Sequence, residues 1–232
     1  MYTLRLIVAL LATVFVAALA IPLMFLRPFH RKNMALACRM VTVVNQAIWN
    51  VRYEIENEQR LQPDSPTIFI ANHQDTQDLF FAPHIVRVGT VCLGKWELLY
   101  APFIGQAFYF AGNILVRRKN KEKAQEALHA ATMKIKQENK SLLIFPEGTR
   151  NWGKPLPFKL GAFKLAIDAQ VPITPVCFAL RPQSMSLNKW FGGVVRIKVL
   201  DAIDTTGMTQ EDAIPLAIKC RKLVEDEVLK MS

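Results

Sequence analysis

The stretch Thr67-Ile-Phe-Ile-Ala71 runs straight into Asn72-His73-Gln-Asp-Thr-Gln-Asp78, setting a short apolar run against a wholly polar loop. A β-rich run of this length, closed by Asn, reads as a buried strand. Residues 88–93, 113–116, 141–145, 172–180 and 194–200 read the same way. Between them, residues 121–139 place Ala127, Leu128, Ala131 and Ile135 on one helical face. Residues 158–169 form a second helical pattern. Thr209 opens a last helix, with Asp212 three residues on in a capping box and Pro215 in its first turns. Strands alternating with helices make an α/β sheet covered by helices, where chemistry gathers on loops at the strand ends. The polar clusters of this chain fall on such loops.

The rest of the composition bounds the reading. The chain has 232 residues, 51% hydrophobic and 21% charged, which excludes disordered, collagenous and low-complexity proteins. Residues 6–26 are 21 consecutive uncharged residues, and a bilayer span needs about 20. Ala18-Leu19-Ala20 would serve as a signal cleavage site, but the apolar run continues past it, favouring a retained anchor. Pro22 inside the run favours a bent or half-immersed helix. Arg27, Arg31, Lys32 and Arg39 follow it and place the downstream domain on the cytoplasmic side, at the inner membrane if the source is bacterial. Residues 33–53 repeat apolar positions at helical spacing and pack back on the first helix or lie in the interface. The expected division is residues 1–55 as membrane-anchoring helices and 56–232 as the α/β domain.

With 29 Lys and Arg against 19 Asp and Glu, the formal charge is +10, which favours an anionic partner. The basic residues are not interleaved with aromatics on a recognisable module, so nucleic acid is not the expected one. No G-x-S-x-G or G-x-G-x-x-G occurs. Gly89 to Lys95 has P-loop spacing, but Trp96 stands where Ser or Thr should hold magnesium. Four histidines without ligand spacing argue against a metal site, and four separated cysteines read as core residues of a reducing compartment.

Three clusters carry chemistry. His73 and Asp78 lie about 140° apart if both are helical, so they meet only with His73 in the loop and Asp78 in the first helical turn. Asp78 would then hold one ring nitrogen and leave the other as a general base, half of a triad with no enzyme nucleophile. Taken alone, the segment reads equally as a helix cap beside a loop histidine. Phe145-Pro-Glu147-Gly148-Thr149-Arg150 combines an acid, a permissive glycine, a hydroxyl and an arginine, a receptor for a phosphorylated polyol. Residues 112–118 form a strand ending in Arg117 and Arg118, with Lys119, Lys121 and Lys123 beyond it.

In order and spacing these segments, with Val171-Pro172-Ile-Thr-Pro175-Val176, resemble the four blocks of the glycerolipid acyltransferases. The resemblance is strong over residues 65–180. It implies a glycerol-3-phosphate acyltransferase-like fold, a mixed sheet covered by helices behind an N-terminal membrane-associated helical hairpin. The implied reaction is acyl transfer from acyl-CoA or an acyl carrier protein to the sn-2 hydroxyl of lysophosphatidate, giving phosphatidate for phospholipid biosynthesis. No cofactor, metal or covalent intermediate is implied. His73 would be the base and Asp78 its orienting partner. Arg118, Glu147, Gly148, Thr149 and Arg150 would bind the glycerol phosphate, with Lys95 as a further ligand. Pro172 belongs to the block tied to the acyl donor, and also reads as plain core. Arg117 stands where an acid is common, so either arginine fits the phosphate. Another lyso-lipid or glycerol phosphate acceptor, or a non-enzymatic membrane-tethered lipid-binding role, remains as the alternative.

Overall fold

The computed structural model describes residues 1–117, 121–180 and 187–232. Its strands are β1 (Val51–Glu56), β2 (Ile68–Ala71), β3 (Thr90–Lys95), β4 (Ile114–Val116), β5 (Ser141–Ile144), β6 (Ile173–Phe178) and β7 (Gly193–Val199). They form one sheet in the order β1-β7-β6-β2-β5-β3-β4. All neighbours pair in parallel except β6 with β7, so β1 and β7 run against the other five. The sheet is mixed, as expected. β2, β5 and β6 are buried along their whole length, the mark of central parallel strands covered on both faces.

The alternation within β2 sorts the two layers. Ile68 and Ile70 face a core with Leu142, Ile144, Phe163 and Leu216, while Phe69 and Ala71 face a core with Trp49, Phe80, Phe81 and Phe178. Helices α5 (Lys121–Glu138), α6 (Gly161–Ala169) and α7 (Ala213–Met231) cover the first face. Helices α1 (Tyr2–Leu26), α2 (Asn33–Trp49) and the single turn α3 (Asp78–Phe81) cover the second, and α4 (Ile104–Phe110) packs beside α1. The capping box at Thr209 and Asp212 is present in the turn that opens α7.

One expectation changes at the N-terminus. The second helix ends at Trp49 because Asn50 takes a left-handed conformation (φ 48°), and the chain turns directly into β1, which pairs with β7. The expected boundary at 55/56 therefore falls inside a sheet strand. Moreover α1 continues through Pro22 as one helix and belongs to the packing: Ala9, Ala20 and Met24 are buried, and Asn45 Nδ2 donates to Thr13 Oγ1 at 3.2 Å. Its opposite face, with Leu4, Leu11, Phe15 and Leu19, is exposed, and it is long and apolar enough to cross a membrane.

Candidate active site

Parallel strands β2, β5 and β6 all end on one edge of the sheet, and the polar loops leave from there. Beyond β2 the Asn72 side chain continues the ladder as a surrogate peptide. Its Nδ2 donates to Phe178 O at 2.9 Å and its Oδ1 accepts Phe178 N–H at 2.8 Å. Gln74 Nε2 donates to Phe178 O and Ala179 O at 3.1 and 2.9 Å. His73, between them, is thus held by its neighbours against the end of β6.

His73 lies in the loop and Asp78 in the first turn of α3, the one arrangement in which their spacing allows contact. Nδ1 of His73 is 2.6 Å from Asp78 Oδ2, which also accepts the N–H groups of Gln74 and Asp75 at 2.8 and 3.3 Å. Three donors converging on a buried carboxylate oxygen hold the imidazole with Nδ1–H toward Asp78 and leave the Nε2 lone pair for a substrate. The ring leans on Phe145, centroids 4.5 Å apart.

His73, Asp75 and Asp78 line a cavity of about 410 Å³. Gly148, Thr149, Arg150 and Lys95 line it too, and neither Lys95 nor Arg150 has an acidic partner among the described residues. Glu97 also lines it, and the rest of the lining is largely apolar, with Met34, Leu79, Val86, Leu93, Phe108 and Leu143. The lining therefore offers cations to an anionic headgroup and apolar surface to a hydrocarbon chain.

Several expected site residues take other positions. Glu147 is buried (4% exposed) and does not line this cavity. Its Oε1 accepts His73 N–H at 2.9 Å and Asn151 Nδ2 at 3.1 Å, while burial pushes its pKa above the ordinary 4.5. Asn151 N–H in turn donates to His73 O at 2.8 Å, so the loop after β5 grips both backbone polar groups of His73. Gly148 makes this turn with φ 71°, where an L side chain is strained. Pro172 sits at the opposite edge of the sheet, its carbonyl accepting Ile68 N–H and Thr67 Oγ1–H, both at 2.9 Å. β2 and β6 run parallel in register, so the six residues from Thr67 to His73 separate it from the histidine by roughly 20 Å at about 3.3 Å per residue. Arg117 lies over the Trp96 ring at 4.0 Å. Arg118, Lys119 and the Lys121 side chain lie outside the described residues.

Asn72, Gln74, Asn151 and Tyr2, whose hydroxyl accepts Gln77 Nε2–H at 2.9 Å, are partners that residue pattern alone did not single out. Short polar residues directly flanking His73 and Arg150 were the available signal. The family model described as Acyltransferase matches residues 52–179, more than half of the chain. The chain belongs to the acyltransferase family. Within that family it is 32% identical over 229 residues to the 1-acyl-sn-glycerol-3-phosphate acyltransferase of Haemophilus influenzae, covering 98% of this chain and 95% of that one. To the protein of the same description from Escherichia coli K12 it is 32% identical over 232 residues, covering 100% and 94%. The acyltransferase fold is also that of the crystal structure of the 1-acyl-sn-glycerophosphate (LPA) acyltransferase from Thermotoga maritima. The two share a TM-score of 0.68 at 22% identity, over 99% of this chain and 97% of that one.

Proposed function

We propose that this acyltransferase moves an acyl group from acyl-CoA or an acyl carrier protein to the sn-2 hydroxyl of lysophosphatidate, at a membrane surface on the cytoplasmic side. The observation that carries the reading is the His73–Asp78 pair at a cavity lined by Lys95, Arg150 and many apolar side chains. The description shared by the full-length relatives supports the acceptor. His73 Nε2 takes the hydroxyl proton as the oxygen attacks the thioester carbonyl, and Asp78 stabilises the imidazolium that forms. The tetrahedral intermediate collapses with loss of the thiolate, which receives the same proton. Lys95 and Arg150 pair with the phosphate, and the apolar side chains of the lining accept hydrocarbon. Glu147 acts through His73 by holding its backbone N–H.

The test is purified full-length protein with labelled acyl donor and a panel of lyso-lipids and glycerol 3-phosphate, beside His73→Ala. We expect phosphatidate from lysophosphatidate, and a loss of about 10²–10⁴-fold in the folded variant, the scale of a removed general base. Near-normal turnover by folded His73→Ala, or no product from any acceptor, would overturn the assignment.

A further inference from the structure

The segment 188–191 is a loop tied down by hydrogen bonds that shows two aromatic side chains to the outside. The first turn of α1 fastens it: Tyr2 N–H donates to Asn188 Oδ1 at 3.1 Å, and the largely buried Arg5 guanidinium donates to Lys189 O and Trp190 O at 2.7 and 2.8 Å. From the other side, Asn50 Nδ2 donates to Trp190 O at 3.2 Å and Gly192 N–H to Asn50 O at 2.9 Å. Despite this anchoring, Trp190 is 78% exposed and Phe191 46%. A guanidinium lies over each ring, Arg5 at 5.7 Å from the Trp190 centroid and Arg52 at 5.8 Å from that of Phe191.

Charge says what covers them. Residues 1–53 and 169–200 contain ten Lys or Arg and no Asp or Glu, so the whole formal excess of +10 resides in these two segments. Arg196 and Lys198 are paired with glutamates, whereas Arg5, Arg52 and Lys189 have no acidic partner among the described residues. An amphipathic aromatic among unpaired cations, tied to the start of a helix whose outer face is apolar, matches the chemistry of a lipid headgroup layer.

We propose that the 188–191 loop is a second membrane foothold, with Trp190 and Phe191 seated in the headgroup region of an anionic bilayer and Lys189 and Arg52 against its phosphates. The proposal rests on the membrane-lipid reading of the substrate. It adds a contact fixed to the sheet edge beside β1 and β7 to the one made by α1. The hydrogen bonds that hold the loop matter, because they lessen the ordering entropy lost on insertion.

The full chain is bound, without acyl donor, to vesicles of phosphatidylethanolamine and phosphatidylglycerol with brominated acyl chains. We expect tryptophan emission to be quenched in wild type and most of that quenching to vanish in Trp190→Phe. The double variant Trp190→Ser with Phe191→Ser should bind the vesicles about tenfold more weakly with an unchanged unfolding midpoint, the order expected from aromatic surface no longer buried. Equal quenching of Trp190→Phe and wild type, or unchanged vesicle binding by the double variant, would overturn it. So would a sedimentation result in which the double variant turns a dimer into a monomer while vesicle binding stays the same, since a second copy would then cover the loop. Activity on detergent-dispersed lysophosphatidate is measured in parallel, so failure of the foothold and failure of the catalytic reading are told apart.

Discussion

Replacing Glu147 separates a carboxylate that grips substrate from one that holds the His73 loop. Its Oε1 serves His73 N–H and Asn151 Nδ2, and Oε2 is buried without a hydrogen-bond partner among the described residues. Glu147→Gln keeps an acceptor at the Oε1 position and removes the charge. Glu147→Ala leaves two donors without an acceptor, at about 1–3 kcal/mol for each buried group. It also frees the His73 backbone, where a displacement of about 1 Å costs roughly 10²-fold in rate. We expect kcat to fall about 10–100-fold in Glu147→Ala and to stay within about threefold in Glu147→Gln, with KM for lysophosphatidate unchanged in both, on that positioning scale. Stability adds an independent readout. Burial raises the folded-state pKa of Glu147 above 4.5, the His73 and Asn151 hydrogen bonds opposing it. Between the unfolded and folded pKa values the native state binds more protons, so wild-type stability falls as pH rises through that window. Glu147→Gln lacks this dependence, so its stability relative to wild type should climb from below pH 4.5 and then level off. Steady-state kinetics in detergent and unfolding curves across pH supply both measurements. A Glu147→Gln protein with normal kcat and a KM for lysophosphatidate raised about tenfold would refute the positioning role, as would a stability difference flat with pH.

Two further outcomes test the cavity. Arg150→Ala should raise KM for lysophosphatidate about tenfold or more while leaving KM for the acyl donor within about twofold, the pattern of one lost charge-assisted contact; equal rises for both would place Arg150 elsewhere. At Gly94 an added Cβ would stand 2.8 Å from the Phe108 ring, which lines the cavity. Gly94→Ala should therefore cost about 1–3 kcal/mol of stability and shift competition between long and short acyl donors toward the short ones. An unchanged unfolding midpoint and product profile would show that Phe108 moves away freely.

Much of the site was legible because its signal is local. His73 and Asp78 are five residues apart, and simple helical geometry restricts how they meet; the 2.6 Å contact follows that restriction. The capping box of Thr209 and Asp212 is equally local. Glu147 was not legible. Its carboxylate answers a backbone N–H 74 positions away, and nothing in Phe-Pro-Glu-Gly-Thr-Arg tells whether the acid faces the cavity or the neighbouring loop. Pro172 shows the same blindness: its block follows the others in sequence, but the parallel register sets it at the far edge of the sheet.

By itself, the sequence determined the alternation of strands and helices, the apolar first helix, the excess of basic charge and the His–Asp spacing, because hydrophobic period, net charge and short-range geometry are properties of a chain read in order. Only the tertiary structure decided that residues 51–56 leave the helical pattern to pair with β7, that α1 is packed into the fold as well as exposed to its surroundings, and that Glu147 holds His73. Those outcomes depend on strand register and on contacts between distant segments. The free energy of such contacts is set by what each group meets after folding, and local sequence does not contain it.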